Sequence, residues 1–174
     1  LQKTAKRNIS TVASIIERIE DGIHTITDRR NTLEYKAFQF ANKVMAIQQG
    51  QSAVALHYRN KKERIQPTYN GKWHLFQITF LLMNINGVGD SDHKDRNLVD
   101  LLWFPTGGGK TEAYLGVSAY LIGLRRLRGY AADPESYAGV TVLMRYTLRL
   151  LTTQQFQRAT TMICAAESIR KKDE

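Results

Sequence analysis

Three consecutive glycines ahead of a lysine and a threonine, Gly107-Gly108-Gly109-Lys110-Thr111, constrain this chain more than any other feature. They follow the apolar stretch Leu98-Val-Asp-Leu-Leu-Trp-Phe104 and lead into an apolar-periodic stretch that begins near Lys110. Glycine has no Cβ, so the backbone can turn successive N–H groups toward one point. A helix starting there adds its unpaired N–H groups and the positive end of its dipole. Such an arrangement expects an anion. Thr106 and Gly107 to Gly109 are expected to cradle nucleotide phosphates, with Lys110 reaching the β- and γ-phosphates. The Thr111 hydroxyl is expected to ligate Mg²⁺, so ATP and Mg²⁺ are the ligands, and Lys110 and Thr111 the catalytic residues. The general pattern wants a glycine separated by four residues from the final pair Gly109-Lys110, where this chain has Phe104.

The flanks set the expected fold class. A second apolar run, Val140-Thr-Val-Leu-Met144, follows the helix that runs from Lys110 to about Leu127. Strand, helix and strand with that crossover length imply two parallel strands joined right-handedly, hence an α/β chain. Ahead of it, Ile9, Val12, Ile16, Ile19, Ile23 and Ile26 recur at spacings of three and four, with Gly22 a weak point in the stripe. Asn31 with Glu34 reads as the start of a second helix, whose stripe is Leu33, Ala37, Phe40, Val44 and Ile47 and whose end is Gly50. Residues 1–50 are thus expected to be a helical hairpin and 51–70 a basic linker. Residues 71–174 hold a third helix near 73–85 (Trp73, Phe76, Phe80 and Met83 on one face), the glycine loop, and a last helix from about Leu148. Phe156, Ala159, Ile163, Ala166 and Ile169 form the expected inner face of that last helix.

Composition narrows the partners. With 25 Lys and Arg against 16 Asp and Glu, the net charge of +9 favours a polyanion, nucleic acid first. Arg125, Arg126 and Arg128 close the helix after the loop, while Arg145, Arg149 and Arg158 surround the next strand and helix. The single cysteine, Cys164, excludes an internal disulfide, fits a reducing cytoplasm, and is expected as a small buried residue. No apolar run approaches the roughly 20 residues of a membrane span. His24, His57, His74 and His93 lack zinc-ligand spacing, and Asp90, Asp92 and Asp95 lack the later glutamate of a Ca²⁺ loop.

Pro105-Thr-Gly-Gly-Gly-Lys-Thr111 resembles motif I of superfamily 2 helicases, whose first position is commonly not glycine. Arg145-Tyr-Thr-Leu-Arg149-Leu-Leu-Thr-Thr-Gln154 is similar to their motif Ia, with Leu148 where threonine is usual. Longer phrases, Leu102 to Gly116 and Leu143 to Arg158, look like the large helicase-like subunit of DISARM anti-phage systems. The resemblance implies a RecA-like ATP-binding lobe in a bacterial cytoplasmic ATPase that loads on DNA with a DrmB-like partner subunit. It implies that Gln77 reads adenine, a task suited to an amide that both donates and accepts. It also implies that Arg145, Thr147 and Arg149 hold the DNA backbone.

No apolar strand ending in Asp-Glu occurs, so the chain is expected to be part of a larger helicase or translocase and inactive in ATP hydrolysis alone. The alternative is a nucleotide-gated DNA-binding subunit with little unwinding. A small-molecule kinase would share the loop but has no use for the motif Ia arginines.

Overall fold

The computed structural model describes residues 2–27, 32–103, 105, 107–129, 139–146 and 151–173. They form five helices: α1 (Gln2–Thr27), α2 (Leu33–Lys61), α3 (Leu75–Gly89), α4 (Lys110–Gly129) and α5 (Leu151–Asp173).

Among the described residues there is no strand, and this overturns the expected α/β class with its parallel strand–helix–strand unit. Residues 98–103 and 140–146 carry no regular structure. A strand exists only as one member of a hydrogen-bonded ladder, and neither run finds a partner among the described residues. Most of their apolar side chains face outward instead, Val99 96% exposed, Trp103 85% and Val140 79%, while Met144 packs against the core. Phe104 lies outside the described residues.

The helices are organised around α2, which packs against α4 and α5, while α1 and α4 lie on α3. α2 contributes Ala37, Ala41, Val44 and Met45 to the core, and α3 adds Leu81, Leu82 and Ile85. Leu115, Ala119, Tyr120 and Leu124 come from α4, and Met162, Ala165, Ala166 and Ile169 from α5. Small side chains on α2 let its neighbours approach closely. Gly22 serves the same end on α1, since a Cβ there would collide with the Leu82 carbonyl of α3.

Several boundaries differ from those read in the sequence. Thr32 caps α2, its Oγ1 accepting from the Tyr35 N–H. α2 then continues through Gly50 to Lys61, so 51–61 of the expected 51–70 linker is helix. Its turn out of the helix is made at Lys62, in the left-handed region at φ 59°. α1 packs chiefly on α3 rather than pairing with α2, and its residues 2–17 are exposed, Ile9, Val12 and Ile16 among them. Phe156 and Ile163 of α5 are also exposed, because the buried face of α5 runs through Met162, Ala165, Ala166 and Ile169. That rotation leaves Cys164 exposed, contrary to expectation.

Candidate functional site

The glycine loop behaves as its composition dictates. Gly107 and Gly109 both have positive φ, 82° and 86°, which side chains with a Cβ rarely adopt. The Gly108 N–H donates to the Pro105 carbonyl at 3.3 Å, closing a tight turn. α4 starts immediately after it, at Lys110. The loop is therefore delivered to a helix N-terminus, where unpaired N–H groups and the dipole favour an anion. Lys110 Nζ donates to the Pro105 carbonyl at 3.1 Å, so the ammonium bridges the mouth of the turn. Thr106 lies outside the described residues.

Two elements brace this loop. From α3, the Gln77 amide is 2% exposed and committed at both ends. Its Oε1 accepts from the His74 N–H at 2.9 Å, and its Nε2 donates to the Gly109 carbonyl at 2.8 Å. A Cβ on residue 109 would lie 2.6 Å from that Nε2, so a side chain there would push the amide off the loop as well as strain φ. Gln77 thus stands beside the loop, as upstream placement suggested, but its hydrogen bonds go to backbone. Reading adenine requires it to leave them.

From α5 come two contacts that the sequence reading did not single out. The Thr111 hydroxyl donates to Gln155 Oε1 at 3.0 Å. One residue on, Glu112 Oε1 pairs with Arg158 Nη1 at 2.9 Å. Gln155 and Arg158 are three apart and share a face of α5, the spacing that could have flagged them. Glu112 Oε2 is buried with no hydrogen-bond partner among the described residues. Nearby, burial pushes the Tyr146 phenol above its ordinary pKa, Tyr114 adds to the rise and Arg158 opposes it.

The arginines divide. Arg125 donates to the Val140 carbonyl and Thr141 Oγ1 at 3.0 and 3.1 Å, and Arg128 pairs with Glu34 at 3.0 Å. With Arg158 held by Glu112, three of the basic residues read as polyanion contacts are engaged within the chain. Arg145 is exposed, while Thr147 and Arg149 lie outside the described residues. Among the described residues no group of three or more His, Cys, Asp or Glu could hold a metal ion, and no helix is long and apolar enough to cross a membrane.

The geometry defines a helical chain with a glycine loop turned onto the head of α4. In sequence it is related to the DISARM protein DrmA of Bacillus paralicheniformis, 44% identical over 178 aligned positions that take in 98% of this chain. The chain spans 16% of that relative's length. No family model matches the chain, and no solved structure matches it. The resemblance to a DISARM subunit read from Leu102–Gly116 and Leu143–Arg158 is supported at this level.

Proposed function

We propose that the chain supplies the nucleotide-phosphate grip of a longer ATP-driven DNA helicase or translocase in anti-phage defence. The observation that carries this reading is the pair of positive-φ glycines, 107 and 109, set directly before the helix that begins Lys110-Thr111. Backbone N–H groups and the dipole supply fixed partial charge, Lys110 a mobile one, and Thr111 a hydroxyl for Mg²⁺. The residues fit ATP with Mg²⁺ in this respect: two cationic features meet at a turn that is open at Gly107.

The role in DNA binding rests on the +9 charge and on the exposed Arg145. Phosphate contacts of that kind carry affinity and no base information. Relation to a DISARM protein supports a defence complex with a DrmB-like partner and a bacterial cytoplasmic location. The second reading, a nucleotide-gated DNA-binding subunit, uses the same residues and differs only in strand separation.

The test is DNA-stimulated ATP turnover in the longer protein. Lys110→Ala is expected to abolish it with unchanged circular dichroism, because Lys110 is the first residue of α4 and stands outside the core. Turnover equal to the parent's contradicts the assignment.

A further inference from the structure

The Thr111 hydroxyl sits in the first turn of α4 with its proton already taken by Gln155 Oε1, at 3.0 Å. A hydroxyl has one proton and two lone pairs. Once the proton is fixed on an amide oxygen, the lone pairs are left free to accept or to ligate on the other sides of the oxygen, and Thr111 stands two residues after the positive-φ Gly109. A hydroxyl that ligates a cation must be in that state.

We propose that Gln155 is a positioning residue for the metal-ligating hydroxyl of Thr111, taking its proton so that a lone pair is presented to the Mg²⁺ of a bound nucleotide. This rests on the nucleotide reading above. Gln155 belongs to α5, and Arg158, three residues on, grips Glu112 at 2.9 Å. The first turn of α4 is therefore fastened to α5 at two successive positions, 111 and 112.

The experiment measures binding of N-methylanthraniloyl-ATP to the chain by fluorescence, once with saturating Mg²⁺ and once in EDTA. Gln155→Ala is expected to weaken binding in Mg²⁺ by about three- to tenfold, the scale of one lost hydrogen bond, and to leave binding in EDTA unchanged. Gln155→Glu keeps an acceptor oxygen and is expected to restore the Mg²⁺-dependent gain. Thr111→Val should lose that gain as well, and adding Gln155→Ala to it should cost nothing further. Equal losses with and without Mg²⁺, or an additive double variant, would mean that Gln155 only holds the fold and would overturn the proposal. So would full Mg²⁺ dependence in Gln155→Ala. A wild-type chain that binds the nucleotide in neither condition overturns the nucleotide reading itself, and this proposal with it.

Discussion

The Arg18 guanidinium and the Asp100 carboxylate form a two-pronged pair, Nη1 to Oδ1 at 2.7 Å and Nη2 to Oδ2 at 2.6 Å. Asp95 approaches the Nε of the same arginine at 3.3 Å. Arg18 is 8% exposed, and the Asp100 hydrogen bond chiefly raises its pKa against the pull of burial. This explains an aspartate inside an apolar run: it ties residues 98–103 to α1. Asp100→Ala would leave a buried guanidinium with Asp95 alone. The expected cost is about 2–4 kcal/mol, near the lower end for a broken buried pair because Asp100 is partly exposed. Urea unfolding measures it, and an unchanged midpoint would show that the pair is dispensable.

Tyr120 is fully buried, and its hydroxyl has no hydrogen-bond partner among the described residues. Burial raises its phenol pKa well above the ordinary value, with the Glu34 charge adding to the effect. A hydroxyl desolvated without a partner costs stability. Tyr120→Phe is therefore expected to leave thermal stability unchanged or raise it, by about 0–1 kcal/mol. A clear fall in Tm would reveal a bond made by that hydroxyl.

Glu34, at the start of α2, meets Arg128 from the end of α4. Burial pulls its pKa up, but the helix-start N–H and Arg128 outweigh it, and the pKa falls below its ordinary value of 4.5. A depressed carboxylate pKa stabilises the fold fully above the unfolded value and less as pH drops through the folded one. Wild type is thus expected to be more stable than Glu34→Gln near pH 7, with the gap closing below about pH 4.5. Melting temperatures from pH 7 to pH 3 check it, and a pH-independent gap contradicts it.

What the sequence disclosed follows from what is local. The start of α4 at Lys110 was legible because glycine turn and helix periodicity are properties of neighbouring residues. Periodicity also located the helices, yet not their faces: Ile9, Val12 and Ile16 share a stripe that nothing described covers. A period of 3.6 defines a side of a helix and is silent on what packs there. The apolar runs 98–104 and 140–144 read as strands because apolar composition is local, whereas a ladder partner is not. Gln155 was missed, and Arg158 read as a polyanion contact rather than a partner of α4, for a related reason. Their meaning lies in contacts with Thr111 and Glu112, 44 and 46 residues away in the chain.

Gln77 separates two roles. Held by the His74 N–H and the Gly109 carbonyl, it props the loop whichever base the nucleotide carries. Gln77→Ala is expected to weaken ATP and GTP alike, by about tenfold at most, the scale of one buried hydrogen bond. A loss confined to ATP would show instead that the amide leaves the loop to read adenine.

The measurement closest to the central claim is a titration of Mg·ATP into the isotope-labelled chain, followed by amide resonances. Phosphate held by the glycine turn and the head of α4 must touch the N–H groups of Gly107, Gly108, Gly109, Lys110 and Thr111. Saturable shifts concentrated on those five amides, and lost in Lys110→Ala, are the expected result. Amides 107–111 that stay in place while ATP is added to millimolar concentration would contradict it.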